Sequence, residues 1–152
     1  MINPNDIPPD EDTHYCRGAS TGTNYSAYIP LREKYVCNDF IESILSNTLS
    51  DSQKIHCISA IALTWDQVAL NCFDELLKRA PEYLISKSPL SSWITDKIAL
   101  FSCKEALNLI KRYQSDPRIK GIKYAAEMIE YNIEKNRDPS KTWGRAIYKS
   151  CD

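Results

Sequence analysis

Two histidines and six cysteines are the side chains on which acid–base, nucleophilic or metal chemistry would have to rest in this chain of 152 residues. His14 falls in a polar N-terminal stretch, and His56 in a helical stretch beside Ile55. A thiol nucleophile needs an imidazole within hydrogen-bond reach. Cys57 cannot pair with His56, because adjacent helical residues diverge by about 100°. Cys72 and Cys103 remain the thiols that folding would have to bring to His56. Zinc sites need clustered ligands such as a CxxC pair, and no such spacing is present, so no metal site and no cofactor are expected.

The even cysteine count permits a disulfide framework drawn from Cys16, Cys37, Cys57, Cys72, Cys103 and Cys151, with the pairing open. Cys37, Cys72 and Cys103 fall among apolar residues at helical spacing, where a thiol acts as a small buried hydrophobe. Cys16 and Cys151 lie in polar segments near the chain ends, where bridges would tie down fraying termini. This distribution leans towards an oxidising compartment, periplasmic or secreted, with the cytoplasm close behind.

Other motifs exclude more than they establish. Glu127, Glu130 and Glu134 share a helix face, but a carboxylate-bridged metal bundle also uses Glu-x-x-His, and Lys120 and Lys123 point to ordinary ion pairing. The glycines of residues 18–23 (GASTGT) are not followed by the Gly-Lys-Ser/Thr of a phosphate loop. The basic residues Arg118, Lys120, Lys123, Arg137, Lys141, Arg145 and Lys149 are interleaved with Glu127, Glu130, Glu134 and Asp138. Those acids would repel phosphate, and the net charge of −1 supplies no basic field, so nucleic acid is not expected as a partner. The longest weakly polar run, Cys57 to Trp65, falls far short of the roughly 20 residues that span a bilayer, so no membrane insertion is expected. Two groups have the residue types enriched in protein–protein hot spots: Tyr15, Arg17, Tyr25 and Tyr28 near the start, and Trp143, Arg145 and Tyr148 near the end.

The elements that would position these residues are helical. Residues 1–30 contain Pro4, Pro8, Pro9 and Pro30 and the polar run 18–26, and read as a partly ordered arm. Apolar residues then recur at helical spacing. A first helix is predicted over 31–47 on Leu31, Tyr35, Phe40, Ile41, Ile44 and Leu45. Ser50 and Gln53 form a capping-box signature that opens a second helix over 51–62. Thr64 and Gln67 open a third on Val68, Cys72, Phe73, Leu76, Leu77 and Ala80. A long helix over 91–114 carries a second cap signature at Ser102 and Glu105, where it is expected to kink or split. Asp116-Pro117 predicts a start for a helix over 117–136 on Ile119, Ile122, Ala126, Ile129 and Ile133. Asp138-Pro139 repeats the signal before a short last helix.

The expectation is therefore an all-α fold: an irregular bundle of five or six helices, stacked as antiparallel hairpins, with an extended arm over 1–30 and one helical domain over 31–152. With a well-specified core and few reactive groupings, the expected function is non-catalytic protein binding. The leading form is a secreted or periplasmic inhibitor of immunity type that neutralises a protein partner such as a toxin. A cytosolic helical adaptor is the alternative, and a small enzyme with a Cys/His site assembled from distant residues the third reading.

Overall fold

Ser50 and Gln53 close the reciprocal capping box that their spacing predicts. The Gln53 N–H donates to Ser50 Oγ at 3.2 Å, and the Ser50 N–H to Gln53 Oε1 at 2.9 Å. They open a helix over Asp51–Thr64 that is buried almost all round, including Cys57, Ile58, Ser59, Ala60, Ile61 and Ala62. Beyond its exposed first turn the described part of this helix is enclosed and needs no polar face, and it is the centre of its unit. The computed structural model describes residues 1–17, 20–23, 25–64, 67–79 and 90–137, with the side chains of 14–25, 63–64 and 136–137 outside that description.

The fold is all-α, with eight helices among the described residues. They are α1 Asp10–Thr13, α2 Ile29–Lys34, α3 Cys37–Leu45, α4 Asp51–Thr64, α5 Gln67–Arg79, α6 Leu90–Ile98, α7 Lys104–Arg112 and α8 Ile122–Arg137. The chain divides into two compact units, Met1–Cys72 and Phe73–Asp152, and the division falls within α5.

In the first unit α4 packs against α2, α3 and a 3₁₀ turn at Tyr25–Tyr28. The N-terminal residues are tied to α3 and its approach. Ile2 and Ile7 are buried, the Ile2 N–H donates to Ser43 Oγ at 2.7 Å, and the Asn3 N–H donates to the Tyr35 hydroxyl at 3.0 Å. Lys34 Nζ reaches Asp6 at 2.8 Å, and the Tyr35 hydroxyl donates to the same carboxylate. Part of the stretch read as loop is a two-stranded antiparallel hairpin, β1 His14–Arg17 with β2 Ser20–Thr23, paired His14 with Thr23 and Arg17 with Ser20. The β-favouring residues Tyr15, Thr21 and Thr23 suit such strands.

The single helix expected over 31–47 is two. Tyr35 and Val36 are extended, and Asp39 restarts the helix by accepting the Val36 N–H at 3.0 Å. A carboxylate at this position satisfies one of the donors that a helix start leaves unpaired.

In the second unit α7 and α8 pack side by side, and α6 packs on both. The long helix expected over 91–114 splits near the expected place, but α7 begins after Cys103 rather than at Ser102. At the break the buried Asn132 of α8 reaches the Ala99 and Phe101 carbonyls, Nδ2 donating at 2.8 and 3.1 Å. The last helix starts at Ile122, not at Pro117. Asp116 instead folds back on Arg118, accepting its backbone N–H at 3.0 Å and its guanidinium at 2.7 Å, which makes a local turn rather than a helix cap. Gly121 then takes a φ of +79°, and a Cβ there would lie 2.6 Å from Thr95 Oγ1. The short helix expected after Asp138 lies outside the described residues.

Candidate functional site

His56 is the described residue best equipped for acid–base work, and the local sequence explains its setting. It sits on α4 between the exposed start of the helix and its enclosed middle. Its side chain is 8% exposed, and both ring nitrogens are engaged: Nε2 lies 2.5 Å from Asp10 Oδ1, and Nδ1 lies 3.0 Å from the Tyr28 hydroxyl. A carboxylate only accepts, so Nε2 carries the hydrogen facing Asp10, and in the neutral ring Nδ1 accepts from Tyr28. Asp10 Oδ1 also accepts from Ser52 Oγ at 2.8 Å. The Tyr28 hydroxyl meets Thr13 and Ser59 as well, and burial pushes its pKa above the usual phenol value despite those contacts. Asp10 comes from α1, Tyr28 from the 3₁₀ turn, and His56 and Ser52 from α4. A cavity of about 410 Å³ opens beside them, lined by Pro4, Asn5, Pro8, Gln53 and His56.

An aspartate behind an imidazole is the orienting half of a nucleophilic triad. Here, however, the far nitrogen faces a phenol that is 2% exposed. Asp10 and Tyr28, rather than a thiol, occupy the two nitrogens of His56. The cluster serves to hold α1 and the Tyr25–Tyr28 turn on α4.

A second feature lies in the other unit, between α7 and α8. The helical spacing assigns Leu107, Ile122, Ala126 and Ile133 to the core, but all four are only half-buried. The face of α8 that meets its neighbours is Ala125, Ile129 and Asn132, rotated from the predicted one. Two cavities of about 400 and 330 Å³ run along the trough that results, and both touch Glu130. The apolar floor is rimmed by Lys104, Lys111, Lys123, Glu127 and Glu130, with Lys111 Nζ 3.8 Å from Glu130. On another face of α8, Tyr124 and Tyr131 are about half exposed, and Lys135 Nζ stands 4.7 Å over the Tyr131 ring.

The residues expected to bind a partner are placed as follows. Tyr28 is removed from that role by its burial against His56. The need to satisfy the imidazole of α4 outweighs the preference of a tyrosine for a wet surface. Tyr15 and Arg17 lie on β1 and Tyr25 opens the 3₁₀ turn, with their side chains outside the described residues. Trp143, Arg145 and Tyr148 lie outside them altogether. Of the cysteines, Cys57 and Cys72 are buried thiols and Cys37 a half-buried one. Cys103 is disulfide-bonded, and Cys16 and Cys151 fall outside the described side chains. Burial alone pushes the Cys57 thiol up to about 12, so it stays protonated and acts as core filler. Sequence reasoning missed the trough between α7 and α8. The one signal for it was polar Asn132 within the apolar phase of α8. Comparison with family models, curated proteins and solved structures finds no match to this chain.

Proposed function

We propose that this chain is a non-catalytic protein-binding domain that docks one protein partner on the trough between α7 and α8. The observation that carries the reading is the half-buried apolar row Leu107, Ile122, Ala126 and Ile133 between two charged rims. An amphipathic helix or loop of a partner would bury that row and meet the lysines and glutamates at its edge. The most specific form of the reading is an inhibitor of immunity type, acting in the periplasm or outside the cell on a toxin or effector enzyme. Its support is the disulfide bond of Cys103, a chemistry that persists in oxidising compartments. The alternative, a cytosolic adaptor, draws on the three thiols Cys37, Cys57 and Cys72.

The test is capture of partners from an extract of the source cells, comparing the native chain with a Leu107→Glu/Ile133→Glu variant whose helicity is checked first. Both positions are half-buried, so a charge there is tolerated by the fold but not by an apolar interface. One protein retained by the native chain and at least about 10-fold less by the variant, a loss of roughly 1.4 kcal/mol or more, is expected. The inhibitor form further requires that adding the chain lower that partner's activity. Equal retention by both forms would remove the trough from the interface.

A further inference from the structure

Cys37 and Cys72 come from different helices of the first unit, 35 residues apart in sequence, and meet directly. Cys37 is the first residue of α3, and Cys72 lies on the buried face of α5. The Cys72 thiol donates to the Cys37 carbonyl, with Sγ 3.8 Å from the oxygen. The two thiols are also in hydrogen-bonding contact with each other, and this contact, followed by burial, pushes the Cys72 pKa up. Nothing in packing a core requires two thiols to touch. Either one alone is a small hydrophobe that Ala or Val could replace. Their exposures differ in a useful way: Cys37 is half-buried and open to solvent, and Cys72 is fully buried.

We propose that Cys37 and Cys72 are a reactive dithiol pair that closes to an intramolecular disulfide when met by a small-molecule disulfide such as oxidised glutathione. The Cys37 thiol loses its proton to water, and its sulfur attacks one sulfur of the reagent. The reagent S–S bond breaks, and one thiolate leaves with the bonding pair. Cys72 then loses its proton, attacks Cys37 Sγ and expels the second thiolate. Two protein thiols are oxidised, one reagent disulfide is reduced to two thiols, and both protons end on the released thiols. Cys37 attacks first because it is the more exposed residue of the two, and Cys72 resolves because it is already in contact. Closure pins the start of α3 to α5 and closes a 35-residue loop in the unfolded chain, which raises stability.

The experiment uses the full chain with its Cys103 bridge intact. It is incubated with oxidised glutathione at rising pH, quenched in acid, alkylated while unfolded, and mapped as peptides. Cys37 and Cys72 are expected to lose alkylation together and to appear as one cross-linked peptide lighter by two hydrogens, with Cys57 still alkylated. The second step is expected to quicken as pH rises, because Cys72 gives up its proton with difficulty. Cys37→Ser should leave Cys72 fully alkylated, which establishes the order of attack without altering a buried position. Cys72→Ser should trap glutathione on Cys37. A lasting glutathione adduct on Cys37 of the native chain with Cys72 still alkylated would overturn the pair. So would alkylation of both after exposure to the reagent.

Discussion

Two polar side chains in the interior do similar work at different cost. His56 bridges Tyr28 and Asp10, and Asn132 bridges the carbonyls of Ala99 and Phe101. Losing His56 strands little. The Tyr28 hydroxyl keeps Thr13 and Ser59, and Asp10, 70% exposed, turns to water. Losing Asn132 strips a donor from two backbone carbonyls at a helix break, and Asn132 is 3% exposed. An unsatisfied buried polar group costs about 1–3 kcal/mol. Asn132→Leu is therefore expected to destabilise by about 2–3 kcal/mol and His56→Leu by about 1 kcal/mol, read from urea midpoints. Equal costs, or the reverse order, would contradict this difference between the two sites. Asn132 was legible in the sequence only as a polar residue inside an apolar phase, because its acceptors lie more than 30 residues away. His56 was legible as a helical residue beside Ile55, though its partners were not, because they lie 28 and 46 positions away.

At the scale of the element, starts and stops set by neighbours in sequence were readable, and those set by distant contacts were not. The Ser50–Gln53 box belongs to the first kind, since both partners lie within one turn. The start of α8 belongs to the second. Asp116-Pro117 carries the local signal, but Lys120 and Gly121 are drawn to α6: the Lys120 N–H donates to Ser91 Oγ at 3.2 Å, and the Lys120 carbonyl lies 2.9 Å from the Thr95 hydroxyl. That approach is open only to a residue without Cβ in a left-handed conformation. Gly121→Ala is expected to cost about 1–2 kcal/mol for the backbone alone, with the 2.6 Å contact on Thr95 adding to it. Urea unfolding checks this. Pairing the change with Thr95→Ser should leave the loss nearly whole, because Thr95 Oγ1 remains. Thr95→Ala should recover the steric part.

Across the whole molecule, carboxylates set the response to acid. Lys34 and Tyr35 hold Asp6 below the usual carboxylate range, and the Arg118 guanidinium and backbone hold Asp116 there. For Asp74 burial pushes upward, but hydrogen bonds from Tyr113 and Lys78 and the charge of Arg112 outweigh it, so its pKa is also lowered. A group whose folded pKa is depressed contributes stability that is complete above its unfolded value of about 3.9 and is lost as pH falls through the folded value. Asp96, raised by burial, acts with the opposite sign. With three such groups against one among the described residues, stability is expected to fall steadily from about pH 5 to about pH 2, and Asp74→Asn to flatten part of that slope. A urea midpoint that rises over this range would contradict the balance.

Helical periodicity determined by itself that this protein is all-α, because apolar residues at three- and four-residue steps must share a face whatever that face meets. It determined the capped start of α4 and the burial of Cys72 for the same local reason. Tertiary structure alone decided which part of each apolar stripe is covered. Periodicity gives the phase of a stripe but not the width of the neighbour that packs on it. So Ile129 is enclosed while Ile122, Ala126 and Ile133 line an open trough. It decided likewise that the Cys72 thiol meets Cys37 and that Tyr28 turns inward to His56, since these contacts join residues about 30 positions apart, a separation that no local pattern encodes.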